Sequence, residues 1–168
     1  MGNVSSPFDS TLVYSDAAEE ARRNGDFEEA GFLYLKTINL RRKKFGSSNA
    51  AIAPTLVKYA EVLRMVFKYK DAKKALDEAL AISMTAYGAE HNATTEALNN
   101  LGQINRLLGN HDEAEALLIE ALQLRRKLCG DYHVLTAATL NNLAELMRER
   151  GDYFQAVNYH NAAVESFM

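Results

Sequence analysis

One stretch of this chain returns at a fixed distance, and that limits the fold more than any other feature. Leu98-Asn99-Asn100-Leu101-Gly102 recurs 42 residues on as Leu140-Asn141-Asn142-Leu143-Ala144. The same step backwards reaches Leu56-Val57-Lys58-Tyr59-Ala60, then Tyr14-Ser15-Asp16-Ala17-Ala18. Two further sets keep this register: Ala30, Ala72, Ala114 and Ala156, and Gly46, Gly88 and Gly130. A period of about 20–50 residues marks stacked repeat architectures. The 168 residues then read as a flexible N-terminal segment, 1–10, and a repeat domain, 11–168, with units at about 11–52, 53–94, 95–136 and 137–168.

Each unit reads as two helices. In the third, Ala97, Leu98, Leu101, Ile104, Leu107 and Leu108 follow the 3,4 spacing of one apolar helical face. Gly109-Asn110 breaks that pattern, as Gly25-Asp26 and Gly151-Asp152 do in the first and fourth units. The second helix carries Ala114, Leu117, Leu118, Ala121, Leu122 and Leu124 and ends near Gly130. Helices are expected at about 11–24, 27–45, 51–66, 69–87, 93–108, 111–128, 135–150 and 153–167. Alanine at the repeated positions lets paired helices approach closely. One pair cannot bury its own apolar face, so neighbours stack into a curved all-α solenoid whose first helices line a concave surface.

Composition narrows the function classes. Two prolines, nine glycines and 48% hydrophobic residues argue against a turn-rich β sandwich and against disorder. A net charge of −3 argues against a general nucleic-acid binder. A single cysteine cannot form an internal disulfide, which suits a reducing, cytoplasmic compartment. No nucleophile–base pair, phosphate loop or supported carboxylate dyad is visible, so neither catalysis nor a cofactor is expected.

The segments L-N-N-L-G-Q-I-N-R-L-L-G-N-H-D-E-A-E-A-L-L-I-E-A-L and L-N-N-L-A-E-L-M-R-E-R-G-D-Y-F-Q-A resemble the tetratricopeptide repeat. The length of 42 residues, the L-N-N-L-(G/A) motif and G-x-x-H (Gly88 to His91, Gly130 to His133) are similar to the longer variant of kinesin light chains and nephrocystin-type proteins. The resemblance implies a right-handed α-solenoid of four helix-turn-helix repeats. It also implies a non-catalytic adaptor that holds a protein or peptide partner in the concave groove. Phe67-Lys68 stands where the other units have Gly-Asp or Gly-Asn, so that turn is either built differently or absent. No long heptad region is present, which excludes a complete light chain and leaves a fragment or accessory subunit related to its cargo-binding domains.

Two polar stripes run along the inner helices: Arg22, Arg64, Arg106 and Arg148, with Glu19, Glu61, Gln103 and Glu145 three residues earlier. They read either as i,i+3 ion pairs that solvate the surface or as an arginine ladder for carboxylates and backbone carbonyls. Asn99 and Asn141 are assigned to the groove, where an amide can grip a peptide backbone, and Asn100 and Asn142 to structure. The candidate peptide-binding set is therefore Asn99, Asn141, Arg64, Arg106, Arg148, Gln103 and Glu145. His91 and His133 recur without a second ligand at metal spacing, so they are read as turn or helix-start residues and no metal is expected. His111 is read as surface, and Cys129, aligned with Phe45 and Tyr87, as a small buried apolar residue.

The ends carry two further expectations. Met1-Gly2-Asn3-Val4-Ser5-Ser6 matches the signal for myristoylation of Gly2, which suggests a membrane- or cilium-associated anchor as an alternative function. One acyl chain binds membranes weakly; Arg41-Arg42-Lys43-Lys44 reads either as its electrostatic helper or as complement to a helix C-terminus. At the other end, Val164, Phe167 and Met168 are expected to leave an apolar surface, which implies self-association there or a fragment.

Overall fold

The structure, a computed structural model, describes residues 10–166. Eight α-helices follow in order: α1 (Ser10–Arg23), α2 (Phe27–Phe45), α3 (Ala53–Met65), α4 (Tyr69–Tyr87), α5 (Asn92–Leu107), α6 (His111–Cys129), α7 (Val134–Glu149) and α8 (Tyr153–Glu165). A 3₁₀ turn, Ala50–Ile52, precedes α3. All eight lie within two residues of the expected spans. Each odd helix packs on the even helix that follows it, and each even helix on the next odd one, so the chain is an α-solenoid.

The turn inside each pair explains why Gly-Asp recurs. Gly25, Gly109 and Gly151 adopt φ near +80, and the next amide closes the helix end. Asp26 N donates to Ala21 O, Asn110 N to Asn105 O and Asp152 N to Met147 O, each at 2.9 Å. Asp26 and Asp152 then cap the following helix by accepting from Glu29 N and Gln155 N. The second unit builds the same turn without the glycine. Phe67 itself takes φ 60, and Lys68 N donates to Leu63 O at 2.8 Å. A left-handed conformation costs a residue with a Cβ about 1–2 kcal/mol. Lys68 gives α4 no side-chain cap.

Between pairs the repeated histidines do what their place suggested. His91 Nδ1 accepts from Ala93 N and His133 Nδ1 from Leu135 N, each at 3.1 Å, so both are helix caps. Asn49 does the same for Ala51 N. Cys129, by contrast, is only half-buried, because the aligned Phe45 and Tyr87 positions lie at the exposed ends of their helices.

Small residues set the helix spacing. Ala30, Ala72 and Ala114 are completely buried, and Ala18, Ala60 and Ala144 nearly so. Gly102 takes the last set's place in the third unit, where a Cβ would lie 2.6 Å from Leu118 Cγ. The inner helices of successive units touch, α3 with α5 and α5 with α7. Outer helices are instead joined by long charged side chains, Arg42 to Glu78 at 2.6 Å and Lys73 to Glu113 at 2.9 Å. Helices that touch on one side and are bridged at longer reach on the other curve the stack, with α1, α3, α5 and α7 inside.

Candidate ligand groove

The two ends of the inner surface are occupied by the protein's own contacts. At the amino end, Glu19 is a hub. Tyr34 Oη donates to its Oε1 at 2.7 Å, Lys58 Nζ lies 2.6 Å from the same oxygen, and Arg22 Nη2 lies 2.9 Å from Oε2. Burial alone would raise the Glu19 pKa, but hydrogen bonds from Lys58, Tyr34 and Arg22 outweigh it and hold the carboxyl at about 2. Burial and then the bond to Glu19 push the Tyr34 hydroxyl above the usual phenol range.

The carboxyl end is also internally satisfied. Asn99 is only 5% exposed, and its Oδ1 accepts from Asn142 Nδ2 at 2.9 Å across the α5–α7 contact. Its assignment to the groove is therefore corrected: Asn99 ties two units together and has no amide free for a peptide. The 57/99 position faces the next unit, with buried Val57 one repeat earlier. Asn141 is exposed only because no unit within the chain stacks on it; its Oδ1 lies 3.1 Å from His160 Nδ1 on α8. His160 stands where Tyr34, Leu76 and Leu118 are buried in earlier units, so this end carries a polar pair beside exposed Val164. Phe167 and Met168 lie outside the described residues.

The arginine stripe is not uniform. Arg22 and Arg148 pair with the glutamate three residues earlier, Glu19 and Glu145, as one sequence reading held. Hydrogen bonding from Arg148 lowers the Glu145 pKa. In the third unit Gln103 replaces that glutamate, and Arg106 reaches instead across the junction to Glu149. Its side chain is 17% exposed, against 55% for Arg148. His111 Nε2 lies 3.9 Å from the same Glu149.

The middle differs. Arg64, Glu61, Asn100 and Gln103 line a small cleft between α3 and α5, floored by Ala60, Leu76 and Ile104. Arg64 forms no ion pair within 4 Å among the described residues, although Glu61 precedes it by three. Burial raises the Glu61 pKa; Arg22 and Arg64 oppose this and Glu96 adds to it. A guanidinium without a partner and two amides thus share one site. Asn100 belongs to this cleft, and its structural assignment gives way to a surface one. An α-helix turns 100° per residue, so an error of one position exchanges the groove face for the unit interface.

The basic cluster after α2 is largely committed within the protein. Arg41 donates to Ala51 O and Thr55 Oγ1, and Arg42 pairs with Glu78. Arg125, one of its counterparts two repeats on, is buried and donates to Leu135 O at 2.6 Å and Thr139 Oγ1 at 2.5 Å. Burial lowers the Arg125 pKa. Sequence reasoning missed these inter-unit arginines; the recurring Arg–Thr spacing was their only signal. Gly2 lies outside the described residues. No helix among the described residues is long and apolar enough to cross a membrane.

A tetratricopeptide repeat pattern matches residues 51–118 and again 93–167. No curated protein matches the sequence. Among solved structures, BtubC (BKLC) from P. vanneervenii aligns with a TM-score of 0.83 at 21% identity, over 93% of this chain and 62% of that one. The nearly identical TPR-like repeats provisionally assigned to a kinesin light chain of Podosopora anserina give 0.75 at 18%, over 93% and 74%. A Rap protein complexed with Competence and Sporulation Factor gives 0.80 at 21%, over 94% and 43%. These likenesses are of fold, and this chain spans under two thirds of BtubC and under half of the Rap protein.

Proposed function

The chain belongs to the tetratricopeptide repeat family, and we propose that it is a non-catalytic adaptor that holds an extended partner segment across the middle of its inner surface. The observation that carries this reading is the unpaired Arg64 beside Asn100 and Gln103, between two ends whose polar groups are already engaged. A guanidinium supplies a rigid fork of donors for a carboxylate or carbonyl. Asparagine and glutamine amides donate and accept at once, which matches a peptide backbone regardless of its side chains. Arg106, Arg148 and Glu145 keep a secondary role, since each is engaged in an ion pair. The structural likeness to a Rap protein holding a bound factor, and to kinesin light chain repeats, favours the same class of activity.

The test is affinity capture of partners by the native chain and by Arg64→Ala with Gln103→Ala. Loss of a charge-assisted hydrogen bond and an amide contact weakens capture by roughly tenfold or more. An unchanged partner set removes the mid-groove assignment. A second reading, a membrane- or cilium-associated anchor acylated at Gly2, rests on the M-G-x-x-x-S motif. Intact mass after expression in eukaryotic cells decides it, since myristate adds about 210 Da.

A further inference from the structure

The repeat supplies its own control for an apolar groove on the outer side, between α2 and the α3–α4 turn. Phe27, Gly31, Phe32, Leu35, Val62 and Val66 line this opening of about 330 Å³, with Glu28 and Lys68 on its rim. At the same positions, later units are charged or small. Gly31 corresponds to Lys73, which pairs with Glu113, and to Glu115, which pairs with Arg150. Phe32, 61% exposed, corresponds to Lys74, Ala116 and Asn158. Phe67, 78% exposed, corresponds to Gly25, Gly109 and Gly151.

Two of these departures work against local stability. Phe67 holds a left-handed backbone that the other units give to glycine, and it leaves its ring in water. Lys68 replaces the Asp or Asn of the other turns and leaves α4 without a side-chain cap. A strained, exposed aromatic residue on one turn of four points to a contact outside the unit.

We infer that this groove is a two-fold interface with a second copy of the chain. The rim carries one anion on α2 and one cation on the turn, and neither forms an ion pair among the described residues. A two-fold interface requires such a self-complementary arrangement. Glu28 then faces Lys68 of the partner subunit, Lys68 faces Glu28 of the partner subunit, and Phe32 and Phe67 cover the opposite groove. This dimer surface is separate from the inner cleft, so both copies keep their grooves open.

Sedimentation equilibrium on the full chain tests it with three variants. The wild type associates to a dimer at micromolar concentration. Phe67→Gly raises the thermal midpoint yet weakens dimerisation by about tenfold or more, because an aromatic anchor is lost. Glu28→Lys and Lys68→Glu each weaken it, and the double reversal restores it to near the wild-type value. A wild type that stays monomeric at high micromolar concentration overturns the inference. So does a dimer indifferent to Phe67→Gly, or a double reversal no better than either single change.

Discussion

The two ends of the inner surface and its middle are made from the same repeat positions, yet they are chemically different. At the ends every stripe arginine has found a carboxylate: Arg22 with Glu19, Arg106 with Glu149 and Arg148 with Glu145. In the middle, Arg64 has none within 4 Å, and Asn100 and Gln103 stand beside it. A repeated residue therefore says where a side chain sits, while its neighbours decide whether it is available. Polar groups at the ends hold units together; those at the middle are left for a ligand.

The largest expected effect breaks the amino end. Glu19→Ala removes the acceptor of the buried Tyr34 hydroxyl and of Lys58 and Arg22, and costs about 1–3 kcal/mol by urea denaturation. A cost near zero means that this hub is only surface charge. Next, Arg106→Ala cuts a bridge between the third and fourth units and costs about 1 kcal/mol or less, read as a lower thermal midpoint. Arg64→Ala is expected to stay within about 0.5 kcal/mol of wild type, since no ion pair is lost. If Arg64→Ala destabilises as much as Arg106→Ala does, the ends and the middle are alike.

Acid sharpens the same contrast. The Glu19 pKa is held at about 2 against a reference of 4.5, so its contribution is fully present above the higher value. It is lost as pH falls from about 5 through 2. The stability gap between wild type and Glu19→Gln is therefore expected to close over that window. A gap that persists below pH 2 contradicts the carboxylate's role.

Helix order and pairing were legible because three independent marks fix one 42-residue register, and an α/α repeat leaves few other ways to bury those apolar faces. The turn at Phe67 was not, since propensity disfavours what the backbone does there. The groove was legible in part. Arg64 and Gln103 were assigned to it and line the cleft, whereas Asn99 was placed one position out of phase. An inner helix is packed on two sides, so its apolar arc is wide and marks the narrow exposed strip poorly. Gln103 did carry a readable warning: it breaks the Glu-x-x-Arg pattern, and Arg106 consequently pairs across the junction.

The central claim is that the middle, rather than either end, holds the ligand. The direct measurement is partner affinity for two alanine pairs side by side, Arg64→Ala with Gln103→Ala and Glu145→Ala with Arg148→Ala, each checked for an unchanged thermal midpoint. The account predicts that the first pair loses about tenfold or more in affinity while the second stays within about threefold. Equal losses, or a larger loss from the second pair, contradict it.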